Sequence, residues 1–259
     1  MNIPSIGFFD AHGARLAYRE HGRGPLLIIL PGNTASSAYH LGELEHFGAH
    51  WRAVALDPLG TGLSQRRAVW PADWWRQLGR DAVALIEHLG EREAVLVGTS
   101  GGAVAALWAA IDAPARVRAV IADSTEETPD PAMLRAEIVH RRRKDAGQVG
   151  FWSGAHGADW EQVVESDTAV ILALAERGGD WFDNRLGEVR CPVLFSASLN
   201  DDLLTDVLHQ VPAMAAKVPA GQAFLLNDGG PHPLMWSRPA RFRAAADAFL
   251  SSLTVVTPA

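Results

Sequence analysis

The order of apolar segments predicts an α/β fold, with a mainly parallel central sheet flanked by helices and a helical insertion near its middle. Short apolar runs of strand length alternate with segments of helical period, and Gly and Pro punctuate the joints. The alternation lapses between about Ser124 and Glu188. A chain of 259 residues buries a full core, and α/β chains of this length commonly form one domain.

Leu26-Leu27-Ile28-Ile29-Leu30 lies between Gly24-Pro25 and Pro31-Gly32 and reads as a strand buried on both faces, since no polar residue interrupts it. Arg52 to Leu56 is a second strand. From Trp74 to Leu89, apolar residues at Leu78, Val83, Leu85, Ile86 and Leu89, with Gly90 as a stop, predict a helix. Ala94-Val95-Leu96-Val97 is the next strand, and an Ala-rich helix follows it to about Ala113-Pro114. Val117 to Ala122, Cys191 to Ser196 and Ala223 to Leu226 supply three more strands. Strands separated by helix-length segments imply right-handed crossovers and parallel pairing. In such sheets function collects at the carboxyl ends of the strands. Two amphipathic segments, Pro131 to Lys144 and Asp159 to Arg177, have no convincing strand between them. They predict a helical lid over residues 124–188, inserted into a core formed by 1–123 and 189–259.

Composition narrows the function. A formal charge of −7, with no basic tract interleaved with aromatics, argues against a nucleic-acid partner. The basic run His140-Arg141-Arg142-Arg143-Lys144 reads as a solvated helix face, because Arg and Lys ordinarily stay exposed. The single cysteine, Cys191, permits no internal disulfide and reads as a small buried hydrophobe. Met1-Asn2-Ile3-Pro4 lacks the charged and apolar regions of a signal peptide, and no run approaches a membrane span, so the expected location is cytoplasmic, with no membrane partner. His46 and His50 are four apart, but no Glu follows His46, so the zinc-protease pattern is missing. Gly98 to Gly102 lacks the Lys of a phosphate loop, and Gly60-Thr61-Gly62 lacks the third glycine of a dinucleotide turn. The expectation is a small-molecule substrate with no cofactor and no metal; a homodimer is left open.

The chemistry centres on Gly98-Thr99-Ser100-Gly101-Gly102, directly behind an apolar strand and ahead of a helix. A strand that reverses into a helix within a few residues crowds its backbone, so the positions two before and two after the turn must be small. Gly98 and Gly102 meet that need. Ser100 is then pushed out at the carboxyl edge of the sheet, and the Gly101 N–H at the helix start points where an oxyanion would form.

A serine hydroxyl needs a base, and histidine suits that task near neutrality. Of ten histidines, His232 alone follows the last expected strand within a loop, Asn227 to Pro233, whose glycines and prolines fix it in space. The base needs an acid on its other nitrogen. Asn200-Asp201-Asp202 follows a strand and precedes His232; Asp201 is the choice, with Asp202 and Asp206 as alternatives. Pro31-Gly32-Asn33, turning after the first buried strand, aims the Asn33 N–H back toward Ser100 as the second oxyanion donor.

On these residues the chain resembles the α/β-hydrolase fold serine hydrolases of the small lidded kind that includes carboxylesterases. The likeness spans nearly the whole length. It rests on Pro31-Gly32, the segment Asp57-Pro58-Leu59-Gly60-Thr61-Gly62-Leu63-Ser64, the elbow, Asp201 and His232, in the order nucleophile, acid, histidine. The resemblance implies that Asp57 and Ser64 shape the site without reacting. Two positions depart from the family: Pro31 stands where a His is usual, and Ser198-Leu199-Asn200-Asp201 where Gly-x-x-Asp is frequent. A serine at the elbow argues against epoxide hydrolases and haloalkane dehalogenases, which form an ester on an aspartate. The implied activity is hydrolysis of a carboxylic ester, thioester or lactone through an acyl-enzyme. Carbon-carbon bond hydrolysis, perhydrolysis or a lyase reaction on the same triad, or a slow-turnover receptor, stay open. In the insertion Trp152, Trp160, Trp181 and Phe182 supply apolar area, and Trp152, Trp181 and Phe182 are the expected substrate-binding residues.

Overall fold

The structure is a computed structural model that describes residues 4–253; Met1–Ile3, within the N-terminal stretch considered above, and residues 254–259 lie outside it. Eight strands form one sheet in the order β1-β2-β4-β3-β5-β6-β7-β8. They are β1 (Ser5–Ala11), β2 (Ala14–His21), β3 (Leu26–Leu30), β4 (Arg52–Leu56), β5 (Ala94–Thr99), β6 (Val117–Asp123), β7 (Val193–Ser198) and β8 (Gly221–Leu226). From β4 to β8 every pairing is parallel, while β1 and β2 add an antiparallel edge.

The helices are α1 (Leu41–Phe47), α2 (Trp74–His88), α3 (Gly101–Asp112), α4 (Pro131–Arg141), α5 (Ala146–His156), α6 (Trp160–Glu176), α7 (Val207–Lys217), α8 (Leu234–Ser237) and α9 (Pro239–Ser252). Because side chains alternate along a strand, β3 feeds two cores. Leu26, Ile28 and Leu30 join α2, α3 and α7 on one face, whereas Leu27 and Ile29 join Leu44, Phe47 and Phe249 on the other. Both faces of the sheet are therefore covered, which is why its central strands read as unbroken apolar runs.

The expected strands are present, β3 and β4 with the expected ends and the other four with shifted ones. The strand placed at Cys191 begins at Val193, since Pro192 has no N–H to give a ladder. The β1–β2 hairpin was not anticipated; its residues are mixed in polarity, and its signal is the two-residue turn His12-Gly13, both at positive φ. Between β6 and β7 the chain forms three helices where two segments were expected. Gly147, Gly150 and Gly154 dilute the helical pattern of α5, yet Asp145 and Gln148 form a capping box that marks its start.

The tightest constraint is at the turn from β5 to α3. A Cβ on Gly102 would lie 2.0 Å from the Leu30 carbonyl oxygen, and one on Gly98 would lie 2.2 Å from the Gly102 oxygen. Backbone packs against backbone there, so no side-chain rotation relieves the clash. Gly102→Ala is expected to cost at least about 1–3 kcal/mol of stability, the usual penalty of overpacking. Urea denaturation measures it; an unchanged midpoint would contradict the close packing.

Candidate active site

Ser100 sits between β5 and α3 with φ 54° and ψ −127°, a conformation that residues with a Cβ rarely adopt. The turn is held by the Ser100 N–H, which donates to the Asp123 carbonyl at 2.8 Å, while Ala103 N–H donates back to the Ser100 carbonyl. Ser100 lines a cavity of about 710 Å³ together with Gly32, Asn33, Gly101 and His232. The loop after β3 approaches so closely that a Cβ on Gly32 would lie 3.0 Å from Ser100 Cβ. Among the described residues neither the Asn33 nor the Gly101 backbone N–H has a hydrogen-bond partner. Two unpaired donors therefore flank the serine.

His232 lies in the loop between β8 and α8. Its Nδ1 meets Asp201 Oδ2 at 2.9 Å and Oδ1 at 3.1 Å, and its buried Nε2 has no partner among the described residues. The Asp201 side chain is fully buried. Burial alone would raise its pKa, but the His232 bond and charge, with N–H donors from Leu203 and Leu204, hold it below the ordinary carboxylate value. Asp202 takes a different part: its Oδ1 accepts the His232 backbone N–H at 2.9 Å. Asp206 ends up exposed, bonded to the exposed His209. Of the three candidate acids, Asp201 alone reaches the His232 ring.

The sequence reasoning missed two buried acids beside this pair. Asp123, at the end of β6, accepts from Thr99 Oγ1, Ser196 Oγ and the Met235 N–H; burial raises its pKa to about 6. Glu126 lines the cavity and accepts from Thr205 N–H, Thr205 Oγ1 and Gln210 Nε2, and burial pushes its pKa up. Their signal was the polar cluster Asp123-Ser124-Thr125-Glu126-Glu127 at the carboxyl end of a strand. Asp57 and Ser64 stand behind the cavity. Asp57 accepts the Ser37 and Leu63 N–H groups, and the Ser64 hydroxyl donates to the Asp57 carbonyl, which ties down the loop that follows Asn33.

Trp152 and Trp181 line the cavity, but Phe182 does not. Phe182 is fully buried in the core and its ring neighbours Trp108, so the expectation that it binds substrate is corrected. The backbone turn 180–185, with the Phe182 N–H bonded to Asp180, directs that ring inward. Trp160 stacks on Trp152 and is not in the wall. The basic run also divides. Arg142, Arg143 and Lys144 are exposed, as expected, whereas Arg141 turns into the cavity wall with its side chain only 10% exposed. No three His, Cys, Asp or Glu side chains converge on a metal position among the described residues. Nor is any described helix long and apolar enough to cross a membrane.

His156, at the end of α5, fastens the insertion to the core. Its Nδ1 accepts the Gly62 N–H at 3.1 Å and its Nε2 donates to the Thr34 carbonyl at 3.0 Å, which only the neutral ring can do. Burial lowers its pKa to about 4, with Arg66 acting in the same direction and Thr34 and Asp159 against it.

A family model described as alpha/beta hydrolase fold matches residues 25–169. Among curated proteins, one from Caulobacter sp. (strain K31), provisionally described as the carbamate hydrolase RutD, is 26% identical over 273 residues, covering 94% of this chain and 95% of its own length. Among solved structures, a hydrolase from Pseudomonas aeruginosa PA01 superposes with a TM-score of 0.76 at 21% identity, covering 95% of this chain and 98% of that one. The enol-lactonase from Burkholderia xenovorans LB400 gives 0.71 at 16% identity, covering 95% and 100%. At such identities the structural likeness establishes the fold alone.

Two outcomes are expected. Asp201→Asn is crippled in turnover, whereas Asp202→Asn, whose amide oxygen still accepts the His232 N–H, loses little; equal losses in kcat/KM would place the acid elsewhere. The second concerns pH. Since the folded pKa of His156 lies below the unfolded value near 6.5, its neutral form carries no penalty above that pH, and stability is lost as pH falls from about 6.5 to about 4. The loss from this group is at most about 3 kcal/mol. His40, also buried with a pKa lowered to about 4, adds a loss of the same sign. His156→Gln keeps an acceptor and a donor without titrating, so its melting temperature should fall less steeply over that range than the parent's. Identical slopes would rule out His156 as a titrating fastener.

Proposed function

Since the chain belongs to the α/β-hydrolase fold family, we propose that it is a serine hydrolase that cleaves carboxylic esters, with thioesters and lactones included, through an acyl-enzyme. The observation that carries this reading is the Asp201–His232 pair, whose unpaired Nε2 belongs to the same cavity as Ser100 and the two unpaired N–H groups.

In the proposed reaction Ser100 Oγ attacks the substrate carbonyl and passes its proton to His232 Nε2. Asp201, accepting from Nδ1–H, fixes the tautomer and stabilises the imidazolium. The carbonyl oxygen becomes an oxyanion, which the Asn33 and Gly101 N–H groups receive. His232 then returns the proton to the departing oxygen or sulfur, and the acyl group stays on Ser100. Water repeats the sequence: His232 takes a proton from it, its oxygen attacks the acyl carbon, and the ester to Ser100 breaks as Oγ regains a proton. The helical insertion acts as the lid, and its aromatic side chains Phe151, Trp152 and Trp181 give the acyl group an apolar wall. Each buried CH₂ adds about 0.8 kcal/mol of binding.

A carbamate carbonyl can be attacked by the same machinery, and the likeness to a protein described as a carbamate hydrolase favours including it among the substrates tested. The triad members act as a unit, so Ser100→Ala is expected to lower kcat on a p-nitrophenyl ester by on the order of a millionfold and to abolish fluorophosphonate labelling, while the fold is retained. Activity above a few per cent of the parent in purified Ser100→Ala, or no labelling of the parent, would remove the nucleophile assignment.

A further inference from the structure

Arg141 is the one residue of its basic run that is not exposed. Its Nε donates to Glu137 at 3.1 Å and its Nη1 to Asp167, but Nη2 has no hydrogen-bond partner among the described residues, and the side chain lines the cavity. Asp167, on α6, is fully buried and its second oxygen is unpartnered. The Asn33 side-chain oxygen accepts from Trp75 Nε1 at 3.0 Å while its Nδ2 is unpartnered, and Asn33 is among the groups that offset the pKa rise that burial imposes on Asp167. The guanidinium therefore stands one carboxylate away from the loop that presents the Asn33 N–H beside Ser100.

The wall around it is largely apolar, with Met133, Leu134, Phe151, Trp152 and Ile171. The guanidinium is held in one orientation by two carboxylates in a side chain that lines the cavity, and no acceptor of the wall is bonded to its Nη2 among the described residues. Desolvating a charged donor without a partner is costly, so a ligand that fills this cavity with hydrocarbon alone leaves a penalty behind. A ligand that brings an acceptor removes it. The charge balance selects the kind of acceptor: Glu137 and Asp167 already flank the one cation, and a third carboxylate would face both.

We propose that Arg141 is a specificity-determining residue, whose Nη2 donates to an uncharged carbonyl oxygen carried by the substrate near its reacting carbonyl. The preferred substrates are then acyl compounds with a second, neutral C=O group, such as a keto, amide or carbamate function, rather than plain alkyl esters or half-acids. This rests on the serine-hydrolase reading for its kinetic form but not for its binding form, and the test separates them.

Three p-nitrophenyl esters of matched length make the comparison: pentanoate, 4-oxopentanoate and the succinate half-ester. The parent enzyme is expected to favour the keto ester over the alkyl ester in kcat/KM by about tenfold or more, the worth of a hydrogen bond to a charged group. The succinate half-ester should be the poorest of the three. Arg141→Met should abolish the keto preference, and the readout is the ratio of two esters within one variant, so a general loss of activity cancels. Because Arg141→Met leaves Asp167 buried without its cation, Arg141→Met/Asp167→Asn is the companion variant, and the preference should be lost there too. Affinity for the same esters is also measured in Ser100→Ala by intrinsic tryptophan fluorescence, where the keto preference should appear in Kd and vanish with Arg141→Met. If hydrolysis fails but the Kd preference appears, the catalytic reading falls and this one stands. A parent with no keto preference in Kd, a preference that survives Arg141→Met, or a winning half-ester would each overturn it.

Discussion

The carboxylate of Asp123 is the fastening on which the carboxyl edge of the sheet depends. It is wholly buried, and it gathers the Thr99 hydroxyl from β5, the Ser196 hydroxyl from β7 and the Met235 N–H from the segment behind His232, at 2.7 to 3.0 Å. Its backbone carbonyl takes the Ser100 N–H. Next to it, the Ser124 hydroxyl accepts the Leu234 N–H at 2.8 Å. The end of β6 therefore anchors both the serine turn and the histidine loop, whose Ser100 and His232 are 132 positions apart in the chain. A buried carboxylate is costly unless its oxygens are satisfied, and here three donors satisfy them.

Strain collects on the same edge. Thr34, Ser100 and Ser124 all have positive φ without being glycine, and all three line the cavity. Conformations of this kind cost about 1–3 kcal/mol each and persist where the surroundings overdetermine them. The surroundings can be named. The Thr34 carbonyl is taken by His156, the Ser36 hydroxyl donates to the Ala155 carbonyl, and the Tyr39 hydroxyl donates to the Phe151 carbonyl at 2.9 Å. The loop that carries Asn33 is thus held from the core by Asp57 and from the insertion by α5. Loosening either side would move the Asn33 N–H beside Ser100, so the helices of the insertion bear on the proposed oxyanion site as well as on the cavity wall they line.

The strands β3 and β4 were legible to the residue, because a strand buried on both faces has no choice but to be apolar throughout. Ser100 was legible because steric crowding admits only small residues around it, and Asp201 and His232 because each follows a strand in a turn-rich loop. Asp201 could not be separated from Asp202 by spacing, since both side chains bond to His232, one at the ring and one at the backbone. Phe182 was misplaced because aromatic composition does not say which way a ring points. Arg141 was misplaced for the converse reason: a charge run is ordinarily solvated, and only tertiary contact with Asp167 on another helix turns one member inward. The β1–β2 edge lacked apolar periodicity and was legible only through its turn.

Charge links these observations to the course of the proposed reaction. The cavity wall carries Glu126, Glu137 and Asp202 against the single cation Arg141, and Asp123 and Asp201 lie just behind it. Such a wall places no penalty on an uncharged ester. Hydrolysis, however, converts that ester into an acid, which ionises and becomes a carboxylate facing the same acids. Substrate and product thus differ in charge where the wall discriminates most strongly by charge. In the proposed reaction these acids leave the neutral ester alone and repel the carboxylate it becomes, so product release draws on charges that substrate binding does not feel.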